Sequence, residues 1–232
     1  MNYPTPSFSS AVSADAVRTY VQRVYAWMMG GLLLTGITAF GVSTSEVLLN
    51  AIFRTPLSWL VLFAPLGMVF FLSAKIDTMK PSTAATTFIV YSLTNGLAFS
   101  VLFLVYELGS VFQVFLIAAG MYGAAATYGY VTKRDLSSMG SFLFMGVIGL
   151  VIAMVVNMFL GSSSLDFAIS ILGVGIFTGL TVYDMNRIKE QAIVMYAGDA
   201  LAQKRAILGA LSLYLNFVNL FLFLLRLLGN RR

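Results

Sequence analysis

Apolar residues in this chain come in unbroken runs of roughly twenty, the length that carries an α-helix across a bilayer core of about 30 Å. Seven such runs fit the pattern, at residues 24–43, 57–74, 84–106, 111–131, 141–160, 167–185 and 206–228. A membrane β-barrel would instead show alternating segments of about ten residues, and none occur. The pattern predicts an all-α integral membrane protein with seven transmembrane helices. Residues 1–19 read as a cytoplasmic N-terminal tail, with a small interfacial helix starting at Ala14, and residues 20–232 as the seven-helix transmembrane domain. The tail has no basic start followed by a short apolar core, so it does not read as a cleavable signal peptide. The longest gap, 186–205, holds only a turn or two of helix plus a loop.

Composition agrees. The chain is 59% hydrophobic and 10% charged, whereas a soluble domain carries about a quarter charged residues. It has neither cysteine nor histidine. That excludes thiol nucleophiles, disulfides, His–Cys zinc sites and a Ser–His catalytic pair. The net charge of +5 does not point to nucleic acid, because the basic residues sit in short loops between spans. Ten of them lie in the N-tail and the second-to-third, fourth-to-fifth and sixth-to-seventh connections, against Arg54 alone in the opposite loops. The positive-inside rule therefore places the N-terminus in the cytoplasm. Seven crossings then put Arg226, Arg231 and Arg232 outside, against the trend; a re-entrant span is the alternative.

Tyr20, Tyr25 and Trp27 near the first span, and Tyr128 and Tyr130 at the end of the fourth, fit an aromatic belt. Pro65 within the second span is expected to kink it as a packing feature. Gly175 and Gly179 form a small-xxx-small pair that permits close helix approach, here read as intramolecular packing.

The chemistry lies in the polar residues among the oil. Asp184 is the one carboxylate within the hydrophobic part of a span, and such a residue costs about 2.5–3.5 kcal/mol to insert centrally. On the last span, Ser212, Asn216 and Asn219 follow at i, i+4 and i+7, so they share a face. That stripe is expected to point into the bundle; interhelical hydrogen bonding alone is the simplest account of it. Counting residues sets Asp184 near the interface and Asn216 about 16 Å inward from Arg205. A sixth helix extending past Arg187, or a water-filled cavity, would reconcile the two.

The segments YDMNRIK (183–189), GALSLYLNFVNLFLFLLRLLG (209–229) and TYGYVTKRDLSSMGSFLFMG (127–146) resemble the Bax inhibitor-1 (transmembrane Bax inhibitor motif) family. The ending LLRLLGNRR is similar to its bacterial inner-membrane branch. The resemblance covers nearly the whole chain. It implies six helices surrounding a central C-terminal helix, and a Ca²⁺-permeable, pH-responsive leak. It also implies a proton-sensing pair of aspartates on the last two spans. Asp184 matches the first position; Asn216 stands at the second. Two close carboxylates repel, so one holds a proton and the pair switches with pH; an Asp–Asn pair lacks that repulsion. Asn216 can still hydrogen-bond to Asp184 or offer a carbonyl oxygen to a hard cation.

The expected function is a pH-modulated Ca²⁺ (cation) leak channel, with Asp184 near the pore gate, Asn216 beside it, and Ca²⁺ passing at Asp184 and Asn216. Ser212 and Asn219 are candidate supporting polar groups, and Arg187 and Lys189 candidate charge partners for Asp184 in a shut state. The alternative is a non-conducting interaction protein that regulates a membrane protease or stress-response complex. No cofactor, nucleic acid or enzymatic activity is expected; the lipid bilayer, a cation and a membrane-protein partner are. An intramembrane aspartyl protease, suggested by Tyr183–Asp184 and YAGDA at 196–200, is disfavoured because Asp199 lies in a charged loop rather than in a span. A proton-coupled transporter lacks clear broken-helix pairs.

Overall fold

The computed structural model describes residues 14–194 and 200–232. These form α1 (Ala14–Ser43), α2 (Glu46–Phe53), α3 (Leu57–Lys75), α4 (Pro81–Phe99), α5 (Leu102–Val105), α6 (Leu108–Val131), α7 (Ser137–Leu160), α8 (Ser163–Val194) and α9 (Ala200–Leu228). Seven stretches are long and apolar enough to cross a membrane, with α4 and α5 together making the third. The first thirteen residues of the expected tail and the YAGDA segment up to Asp199 lie outside the described residues.

The helix ends follow local chemistry. The Ser45 hydroxyl accepts from the Leu48 amide and starts α2, a short helix the hydropathy pattern does not reveal. Pro81 opens α4, where its missing N–H costs nothing. Asp135 accepts from the Ser137 amide at 2.9 Å ahead of α7. Hydrogen bonds from Ser137, the backbone one foremost, hold the exposed Asp135 carboxyl below its usual range. Gly161, at φ 62°, closes α7 in the left-handed conformation that suits glycine. Pro65 lies inside α3, and the helix continues through it from Leu57 to Lys75.

The interior is organised along α9. Of its apolar stretch 67% is buried, against 17% for α3 and 11% for α7. It packs against α1, α3, α4, α6 and α8, while α7 packs on α8. Tyr91, Phe88 and Tyr214 form an aromatic knot, with 5.3 Å between the Tyr91 and Tyr214 rings. The Thr35 hydroxyl lies 2.7 Å from the Tyr214 hydroxyl and 2.9 Å from the Ser92 carbonyl, which ties α1, α4 and α9 together where no water competes. Close approach is enforced where α6 meets α8: a Cβ on Gly129 would run into the Val182 backbone. Gly179 faces Leu143 of α7, whereas Gly175 faces open space, so this pair does not form one packed seam.

The connections sort to two ends. At one end, Arg205 pairs with Asp77 at 2.7 Å, the Lys204 ammonium donates to the Asp77 carbonyl at 2.9 Å, and Lys189 reaches the α6–α7 connection. The basic loops therefore lie together. At the other, Glu107 N–H donates to Asn230 O and Arg232 N–H to Val105 O, both at 3.0 Å. The Asn230 amide donates to Ser110 Oγ, and Arg231 stacks over Tyr106. The C-terminal residues are thus tied to the α5–α6 connection, as seven full crossings require, and the late arginines sit at that end.

Candidate ion-path site between α8 and α9

Asp184 is carried by α8, which runs nine residues past the expected end at Met185. The extension moves Asp184 from the helix end to its inner half. The sequence there, NRIKE, is charged but free of helix breakers, so the helix continues beyond the apolar stretch. This resolves the depth mismatch between Asp184 and Asn216: the Asn216 side-chain amide donates to Asp184 Oδ2 at 2.7 Å. Asn216 is 4% exposed. An unprotonated carboxyl oxygen only accepts, so the amide presents its NH₂ group to Oδ2.

Ser212 and Asn219 flank the pair on the same face of α9, and all three line one cavity of about 760 Å³ with Asp184. Asn219 returns its own amide to the Leu215 carbonyl at 2.8 Å. A second cavity, of about 250 Å³, lies towards the basic end and is bordered by Ser73, Gln191 and Arg205. Asp184, Arg187 and Ser212 belong to the walls of both. The carboxylate therefore stands where the small polar cavity meets the polar end of the larger, mainly apolar one.

The charge partners divide. Arg187 is exposed and shares both cavities with Asp184, but the ion pairs among the described residues are Arg205–Asp77 and Arg226–Asp166, and Arg187 is in neither. Lys189 is turned elsewhere: its ammonium donates to the Tyr130 and Thr132 carbonyls at 2.9 and 2.7 Å. It satisfies the open carbonyls at the end of α6 rather than Asp184. That role has no signature in the sequence around Lys189. Sequence reasoning also missed Thr35, Ser92 and Tyr214, because a hydroxyl in an apolar span ordinarily bonds to its own helix.

No group of three acidic, His or Cys side chains able to hold a metal occurs among the described residues. Ca²⁺ takes six to eight oxygens. One carboxylate and one amide are too few for a resident ion.

Seven helices long and apolar enough to cross a membrane, with a carboxylate–amide contact between α8 and α9, define a polytopic membrane protein. The chain belongs to the Bax inhibitor-1 family: residues 17–232 match the profile described as Inhibitor of apoptosis-promoting Bax1. It is 42% identical over 230 residues to the inner membrane protein YbhL of Escherichia coli K12, covering 98% of each chain. An uncharacterized protein, RP147, of Rickettsia prowazekii is 42% identical over 218 residues, with 94% of this chain and 92% of that one covered. An uncharacterized protein of Deinococcus radiodurans is 41% identical over 220 residues, covering 94% and 93%.

Proposed function

We propose that this protein is a cation leak channel of a bacterial inner membrane, with Ca²⁺ as its cargo and the Asp184–Asn216 contact as its gate. The inner-membrane assignment follows the name of the Escherichia coli relative, and the cytoplasmic N-terminus follows the charge bias of the loops. One observation supports the reading: a carboxylate bonded to an amide of the neighbouring helix lines both a larger, mainly apolar cavity and a smaller polar one. The carboxylate draws a cation into a low-dielectric space, and the hydrogen bond from the Asn216 amide must open to let it pass. With one titrating group in the pair, the pH response is weaker than that of two carboxylates. The reading assigns no catalytic reaction to the chain. The test is Ca²⁺ flux from reconstituted vesicles: Asp184→Ala must change the rate, and equal rates would remove Asp184 from the gate.

One observation favours the non-conducting alternative, in which the protein regulates a membrane protease or stress-response complex. Arg187 borders the smaller cavity, and a positive charge there opposes cation entry. Protein that is inert in the flux assay yet co-purifies with a stoichiometric membrane partner would establish that reading instead.

A further inference from the structure

The larger cavity is a crevice between α3 and α7 with a graded lining. Leu66 on α3 and Phe144 and Val151 on α7 form its lips and are 56, 64 and 50% exposed, so it opens sideways to the membrane. Its floor is α8 and α9. The end nearest the basic loops is polar, with Ser141, Tyr183, Arg187 and Ser212; the far end is apolar, with Leu150, Met154, Phe177 and Phe223. From Ser141 to Met154 the wall runs about 20 Å along α7, enough to hold an acyl chain from one leaflet. Arg187 stands exposed at the polar end, where it feels the Asp184 carboxyl electrostatically but makes no close ion pair, so its guanidinium edge stays open to a further acceptor.

We propose that this crevice binds one anionic phospholipid from the leaflet on the side of the basic loops, its phosphate at Arg187 and an acyl chain lying against Leu150, Met154 and Phe223. An opening that is polar at one end and apolar at the other, inside a bilayer, matches a lipid along its whole length. A guanidinium matches a phosphate by paired hydrogen bonds. Asp184 lies about a turn deeper and repels the phosphate, which keeps the headgroup at the rim and the chain inward. A lipid so seated covers the lateral face of the Asp184–Asn216 contact. The binding claim does not depend on conduction, because it is read by lipid retention and not by flux.

Native mass spectrometry of the full-length protein, released from nanodiscs of mixed phosphatidylglycerol and phosphatidylcholine, tests it. The expected result is one retained phosphatidylglycerol per chain in preference to phosphatidylcholine. Arg187→Gln should lower that retention roughly tenfold, the equivalent of one charged hydrogen bond, while Arg226→Gln, at the opposite end, leaves it unchanged. Val151→Trp narrows the lip and should lower retention of both lipids. Equal retention of the two lipids, or retention insensitive to both Arg187→Gln and Val151→Trp, overturns the proposal. So does a stoichiometric protein partner that excludes phosphatidylglycerol from the crevice. Inorganic phosphate at millimolar concentration should not displace the lipid; displacement would assign the site to free phosphate and overturn the lipid claim.

Discussion

Asn216 on α9 donates its side-chain amide to Asp184 on α8 across 2.7 Å, so the one carboxylate within an apolar span meets its partner on the last crossing helix. Asp184→Ala leaves that largely buried amide without its acceptor. The expected cost is about 1–3 kcal/mol, read as a lower unfolding midpoint in detergent, together with an altered Ca²⁺ flux. Asp184→Asn keeps a hydrogen bond and should recover most of the stability but not the wild-type flux. Full recovery of flux by Asp184→Asn would separate the charge from conduction.

Asn216→Asp places two carboxylates at hydrogen-bonding distance, where they cannot both stay ionised without mutual repulsion. Flux measured across a pH series should gain a proton-uptake step that the wild type lacks. A profile superimposable on that of the wild type would reject the gate as a titrating pair.

Gly129→Val drives a side chain into the Val182 backbone. Overpacking of this kind costs about 1–3 kcal/mol or more. Gly175→Ala, which meets nothing within 4 Å, should leave the midpoint nearly unchanged. Thermal unfolding of the two variants side by side checks the contrast.

Tyr214→Phe removes the hydroxyl that lies against Thr35 but leaves Thr35 its carbonyl neighbours on Gly31 and Ser92. A loss of about 1 kcal/mol is expected. A double-mutant cycle with Thr35→Val should show the two positions to be coupled.

Arg205 and Asp77 pair at 2.7 Å, but Asp77 is 62% exposed. Their coupling should not exceed about 1 kcal/mol and should shrink with added salt.

The seven crossings were legible because hydropathy reports which segments tolerate hydrocarbon. The same signal could not show where helices end. The helix expected from Ala14 does start there but runs unbroken into the first span, and α8 continues past Met185, because Arg18, Arg23, Arg187 and Lys189 sit in good helical sequence outside the oil. Asp184 and the stripe of Ser212, Asn216 and Asn219 stood out through rarity and spacing alone. Their contact did not, since it depends on the length of α8. The partners of Lys189 are main-chain carbonyls, which have no residue type to read. The Thr35–Tyr214 contact joins residues 179 positions apart, and nothing local marks either one for the other.

The stitching of the last residues to Tyr106 and its neighbours limits how α9 can move. A piston-like slide along its axis would break several main-chain bonds at once, whereas a swing about that anchored tip breaks none of them. Such a lever has its smallest travel near Tyr106 and its largest near Arg205, so in the proposed gate a separation of Asp184 from Asn216 would be an angular motion hinged at the Tyr106 end.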